Sequence, residues 1–498
     1  MLIPHLVTSL YLLVSVTAYD APQQCGLWNR DEDISRILDE FATRLPRKED
    51  LTDIRFKTVT QRLDHFAPSV MDTWEQRYAE NLDHYRGNNL IFLMIGGAGA
   101  MNELWLKLGL MAKQAEKFKA ATFVIEHRFY GESRPGRDLT TKSLQYLSSD
   151  QALADYAHFI TQMNLEHGYK NPKWIVFGAS YGGSLAAWLR YKYPHLVYAA
   201  VSSSGSLFAK ADFHEWFEVI TKSLSTLGGP KCVEAIKTAN KIMSENVQNK
   251  KKREYYRDLF DLCEPFEGDK KEISSFFWSL AFPFFIPAQS LNKKEIEKGC
   301  AIMTDESIKS PVNRYAKYNE QFRGNELCQS IKYSTIIGTL NDTAYGCGCG
   351  GRQWWYQCCT EFGWYMTSNR KDDTFGDKID LEFFNGICTE AYDTKFDIPF
   401  VENSANETNL HYGGYDLPVT RVIFVTGKSD PWATLSITSK PPKGSIAISI
   451  KGGTHCSDML PERDTDTEQV KRARAKISRI LERWTKGKEF EEEEEEEE

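Results

Sequence analysis

The sequence predicts an α/β protein: a mainly parallel sheet with helices on both faces, interrupted by an inserted, disulfide-braced, mainly helical subdomain. Three observations carry this. Short apolar runs alternate with helix-like segments between residues 90 and 203. After Gly205 the alternation stops, and residues 206–415 hold helix-like segments and most of the cysteines. The sheet pattern then resumes with Arg421-Val422-Ile423-Phe424-Val425, and again from Ser445 to Ile450. Alternating strands and helices pair in parallel through crossovers, so a break in the alternation marks an insertion.

Each element has its own signal. Phe56 to Phe66 alternates like a half-buried strand that ends in a turn. Leu90-Ile91-Phe92-Leu93-Met94-Ile95 is continuously apolar, the pattern of a strand covered on both faces. Gly96-Gly97-Ala98-Gly99 follows it, a loop able to present backbone N–H groups to a ligand. A helix is expected over Leu104 to Phe118, and a strand over Thr122 to Ile125. Ser148 to Asn164 reads as a helix capped by Ser149 or Asp150. Val197 to Ser203 is a further strand. The last helix, Glu468 to Trp484, places Val470, Ala473, Ile477, Ile480, Leu481 and Trp484 on one face.

The chain has 498 residues, a length that suits one large enzyme domain with an insertion, or two domains, and with 41% hydrophobic and 13% aromatic residues it can bury a sizeable core. Its formal charge of −8 is matched by the eight glutamates Glu491–Glu498, so the folded body is near neutral. No basic stripe points to nucleic acid or to a membrane surface. The expected division is a signal peptide (1–18), a core in two parts (19–205 and 416–490), the helical insertion (206–415) and an acidic, disordered tail (491–498). The apolar N-terminal stretch is too short to span a bilayer comfortably, and Val16-x-Ala18 offers small residues for signal-peptidase cleavage.

There are eleven cysteines, an odd number that leaves at least one thiol free or intermolecular. After a signal peptide they read as disulfides. Cys347-x-Cys349 and Cys358-Cys359 lack the spacing of a zinc finger or ribbon, so no metal and no cofactor are expected. Sequons at Asn341 and Asn406 make these candidate glycosylation sites and fit a secreted or lysosomal location. The oligomeric state stays open, with a homodimer as one option.

The chemistry centres on Gly178-x-Ser180-x-Gly182, between an apolar strand and an Ala/Leu-rich helix. A strand that turns this sharply into a helix tolerates only small residues two positions either side, and leaves the serine hydroxyl at the tip. The turn also sets the Tyr181 N–H at a helix start, where it can face a developing oxyanion; Gly97 or Ala98 is the candidate second donor. A serine nucleophile needs a base, and the base an orienter. In this sheet architecture the chain order is Ser, acid, His. Asp430 follows the strand Arg421–Val425, and His455 follows the next strand after Gly452-Gly453. Ser180, Asp430 and His455 are the candidate triad. His65, His127 and His411 precede Asp430 and break the order, while Asp458 lies too near His455 in sequence. Glu126, His127 and Arg128 read as a buried structural network beneath the site rather than as acid and base.

Taken with Gln61-Arg62-Leu63-Asp64-His65-Phe66, Glu126–Gly131, Trp355-Tyr356-Gln357-x-Cys359-Thr360-Glu361, Asp430-Pro431-Trp432 and Gly453-x-His455-Cys456-x-Asp458-Met459, the chain resembles the prolyl-carboxypeptidase and dipeptidyl-peptidase II family of serine exopeptidases, most of all its thymus-specific branch. The resemblance implies an α/β-hydrolase core, a helical cap inserted before Asp430, the same triad and cleavage after proline. Trp432 then becomes a candidate wall of a proline pocket. Ala98 departs from the Gly-Gly-Glu-Gly setting frequent in relatives, which leaves open the peptide end attacked. The expected function is serine-type exopeptidase action on short peptides. The alternatives are a non-catalytic binding protein on a hydrolase scaffold, or an esterase or lipase.

Overall fold

A computed structural model describes residues 54–488 except 291–292, 325–326, 347–349 and 371–372. The expected signal peptide, the acidic tail, Cys25, Cys347 and Cys349 lie outside the described residues. The main sheet has eight strands: β1 (Phe56–Arg62), β2 (Thr73–Asn81), β3 (Leu90–Ile95), β4 (Ala121–Ile125), β5 (Lys173–Ala179), β6 (Val197–Ser203), then β9 (Val422–Gly427) and β10 (Ile446–Ile450) after the insertion. Two short strands of the insertion, β7 (Lys210–Asp212) and β8 (Gly363–Tyr365), pair separately. The spatial order is β1-β2-β4-β3-β5-β6-β9-β10.

From β4 to β10 every pairing is parallel. Every residue of β3, β4 and β9 is buried, as strands sandwiched between helix layers require. The sheet is nonetheless mixed, because β1 and β2 form an antiparallel pair and β2 runs antiparallel to β4. No sequence signal marks β2. It turns Trp74, Gln76 and Tyr78 inward, and the polar Gln76 interrupts the apolar alternation. Gln76 is accommodated by hydrogen bonds with the Gln61 side chain, 2.7 Å, and the Glu126 carbonyl, 2.7 Å.

Two further elements differ from the sequence expectation. The helix expected over 104–118 is split into a 3-10 turn, Glu103–Leu106, and a helix, Gly109–Phe118. Gly109 takes φ +81°, which a helix interior forbids, and a Cβ there would lie 2.5 Å from the Met459 carbonyl. The break lets Leu110 N–H donate to that carbonyl at 3.0 Å, docking the helix on the loop that follows His455. The helix Ser149–Glu166 is capped by Ser148, whose hydroxyl accepts from Gln151 N–H at 3.2 Å, rather than by Ser149 or Asp150.

The terminal helix Glu468–Thr485 buries all six residues of its expected apolar face against the sheet. Between β6 and β9 the chain leaves the sheet for the mainly helical cap. Its aromatic patch Phe276-Phe277-Trp278 is buried in a hydrophobic cluster continuous with one face of the sheet. Among the described residues, three disulfides brace it: Cys232–Cys300, Cys263–Cys328 and Cys359–Cys388.

Candidate active site

β5 ends at Ala179 and the next helix begins at Tyr181, leaving Ser180 alone between them. Its φ of 57° and ψ of −129° are a conformation that non-glycine residues rarely adopt. A Cβ at Gly178 would come within 1.9 Å of the Gly182 carbonyl, so the elbow needs its glycine. Ser180 N–H donates to the Ser203 carbonyl at the end of β6, 2.9 Å, and holds the turn on the sheet.

The glycine loop after β3 lies directly against the elbow. A Cβ on Gly97 would sit 3.0 Å from the Gly182 nitrogen. Gly96 is tied on both sides, donating to the Ile125 carbonyl at 2.9 Å and accepting from the Tyr156 hydroxyl at 3.0 Å. Tyr181 is the first residue of its helix, where N–H groups have no partner within the helix. Ala98 is buried in the same loop.

Asp430 follows β9 and is fully buried. One of its oxygens accepts from Trp432 N–H at 3.0 Å, capping the short 3-10 turn Pro431–Leu435. His455 follows β10, and its Nδ1 lies 3.0 Å from each Asp430 oxygen. Gly452, at φ +68°, makes the bend that brings it there. Burial opposes charge on the His455 ring, but the Asp430 carboxylate outweighs it and holds the imidazole well above the ordinary histidine range. Nε2, the other ring nitrogen, is buried with no hydrogen-bond partner, so Ser180 Oγ is not bonded to it. Hydrogen bonds of this kind are often long before substrate binds.

No sequence signal gave the paired serines at the end of β6 a part, yet they join the elbow, the His455 loop and β9. Beyond the Ser180 contact, Ser203 Oγ donates to Asp458 at 2.6 Å. Ser204 Oγ accepts from Cys456 N–H at 2.9 Å, and Ser204 N–H donates to the Val425 carbonyl of β9 at 2.7 Å. Polar residues closing an apolar strand are the one feature that could have pointed to them. Burial raises the Asp458 carboxyl above its ordinary value.

Trp432 is buried 6.4 Å, ring to ring, from His455. Around it stand Trp216 at 4.9 Å, Phe213 at 5.6 Å and Trp364 at 5.9 Å, all contributed by the insertion. Glu126, His127 and Arg128 are wholly buried. Arg128 pairs with Asp155 at 2.7 Å, and Glu126 accepts from Met101 N–H at 2.8 Å and Ser133 Oγ at 2.8 Å. Those partners make the trio a brace beneath the site. Among the described residues, no group of three or more His, Cys, Asp or Glu side chains could hold a metal.

A strained serine elbow on a mainly parallel sheet, with an acid and a histidine at the ends of later strands, defines an α/β-hydrolase. Within that class the chain belongs to the serine carboxypeptidase S28 family, whose sequence profile matches residues 61–477, and it is a serine peptidase. It is 32% identical to mouse thymus-specific serine protease over 442 residues, covering 86% of each chain. It is 27% identical to human lysosomal Pro-X carboxypeptidase over 455 residues, covering 85% of this chain and 87% of that one.

Proposed function

We propose that this chain is a secreted or lysosomal serine exopeptidase that cleaves short peptides after proline. The observation that carries the reading is the buried His455–Asp430 pair, whose loop is tied through Cys456 N–H to Ser204, next to the Ser203 carbonyl that holds the Ser180 elbow. In this mechanism His455 Nε2 takes the Ser180 proton as Oγ attacks the proline carbonyl. Asp430 holds the ring with Nδ1 protonated and stabilises the imidazolium. Tyr181 N–H, with Gly97 or Ala98, receives the oxyanion. His455 then protonates the leaving amine, and water enters as it departs. The base withdraws a proton from that water, which attacks the acyl-enzyme and releases the second product.

Trp432 and its aromatic neighbours support a proline subsite, because a flat apolar wall suits a rigid ring. The name of the Pro-X carboxypeptidase relative points the same way. Disulfides in the cap support an oxidising compartment. Asn341 and Asn406 are exposed, as glycosylation acceptors must be. Among the described residues no helix is long and apolar enough to cross a membrane.

The test is mass analysis of products from a proline-containing peptide library. The proposal expects cuts after proline near one terminus only, absent with Ser180→Ala. Cleavage with no proline preference would overturn the specificity, and turnover of short acyl esters alone would make the chain an esterase.

A further inference from the structure

The Trp355–Glu361 stretch has no part in the steps above. It folds as the helix Gly351–Gln357 running into a single π-helical turn, Cys358–Phe362. Such turns are rare and concentrate at functional sites. Here Gln357 Nε2 donates to Glu361 Oε2 at 3.0 Å. Glu361 is held in turn by Ser149, whose N–H and hydroxyl donate to Oε1 at 2.8 Å and 2.6 Å.

The same Gln357 Nε2 donates to the Tyr181 hydroxyl at 2.9 Å, and the Tyr130 hydroxyl donates to Gln357 Oε1 at 2.8 Å. The Tyr181 hydroxyl lies 3.3 Å from His127 Nε2. His127 Nδ1 is 2.8 Å from the Arg128 carbonyl, which can only accept, so Nδ1 carries the ring proton. Burial lowers the His127 pKa to about 4, so the ring is neutral and Nε2 accepts. The chain of bonds thus has one direction: Gln357 donates to both Glu361 and Tyr181, and Tyr181 donates to His127. Gln357 is fully buried and Tyr181 3% exposed, so solvent cannot replace a lost partner. Trp354 at 5.7 Å and Phe362 at 5.4 Å clasp the Tyr181 ring from the same helix and π-helical turn.

We infer that Glu361 is a positioning residue for the oxyanion site: by fixing the Gln357 amide it fixes the Tyr181 side chain, and with it the backbone N–H beside Ser180. The cap therefore tunes transition-state stabilisation without touching substrate. This rests on the reading of Tyr181 N–H as an oxyanion donor. Misplacing such a donor slows the chemical step and leaves ground-state binding nearly unchanged.

The test compares kcat and KM on a proline peptide for Glu361→Leu, Glu361→Gln, Gln357→Leu and Tyr181→Phe, with thermal melting as the fold control. Glu361→Leu, Gln357→Leu and Tyr181→Phe should each lower kcat about tenfold to a hundredfold, with KM little changed. Glu361→Gln leaves one oxygen in place of two and turns an NH2 toward either Ser149 N–H or Gln357 Nε2, all of which donate, so it should recover only part of the rate. The Gln357→Leu/Tyr181→Phe double variant should be no slower than either single one, since one linkage is cut twice. Unchanged kcat, an effect confined to KM, or fully additive losses would overturn the inference. Should Glu361→Leu fail to fold, Glu361→Gln combined with Gln357→Leu decides the matter: losses in kcat that do not add keep Glu361 in the linkage, and fully additive losses overturn it. A folded wild type that neither turns over the peptide nor reacts with a fluorophosphonate would instead sink the peptidase reading, and this inference with it.

Discussion

His455 Nδ1 lies 3.0 Å from both carboxylate oxygens of Asp430, and both side chains are buried. Asparagine at 430 would turn an N–H toward Nδ1 and favour the wrong tautomer. Asp430→Asn should therefore lower kcat by about 10⁴-fold, the cost of the same change in chymotrypsin-type enzymes. It should also move the pH profile. The base works only when neutral, so kcat/KM rises with pH through the His455 pKa, which Asp430 holds above the usual range. Removing the carboxylate should shift that midpoint to lower pH. An unmoved midpoint would dissociate Asp430 from His455.

Glu361 gives a pH signature in stability. Burial raises its carboxyl to about 7. An unfolded glutamate titrates near ~4.3, so folding favours the protonated form. The resulting stabilisation is complete below the unfolded value and is lost as pH rises through about 7. A shift of this size is worth about 4 kcal/mol. Glutamine does not titrate, so the Tm of Glu361→Gln relative to wild type should be higher at pH 8 than at pH 5. A difference in Tm independent of pH would contradict the assignment.

Trp432→Leu should lower kcat/KM for proline peptides about tenfold, mostly through KM, while alanine analogues lose less. Steady-state kinetics on matched Xaa-Pro and Xaa-Ala substrates would check this. Equal losses on both would remove the ring from proline recognition.

The Cys359–Cys388 disulfide closes a 29-residue separation and joins the π-helical turn to the helix Leu381–Ala391. Loop entropy for that length makes Cys359→Ser destabilising by roughly 3–4 kcal/mol. Denaturant unfolding measures it; a loss below ~1 kcal/mol would mean that the cap is held without the bridge.

What the sequence made legible is what local sterics or full burial dictate. The elbow could be read because Gly178 has no room for a side chain, and β3 and β9 because both of their faces are covered. Asp430 and His455 followed from strand ends and chain order. β2 was hidden by a buried Gln76 that satisfies itself against Gln61. The helix break at Gly109 answers to Met459, which no local pattern reports. The Gln357–Tyr181 bond spans 176 residues, so the motif that carries it could be noticed but given no role.

The proposed chemistry stands or falls on Ser180 as the nucleophile. The most direct measurement is reaction of the folded protein with a fluorophosphonate, followed by peptide mass mapping. The adduct should sit on Ser180, and labelling should vanish with Ser180→Ala and fall steeply with His455→Ala. An unlabelled folded protein, or an adduct on another residue, would contradict it.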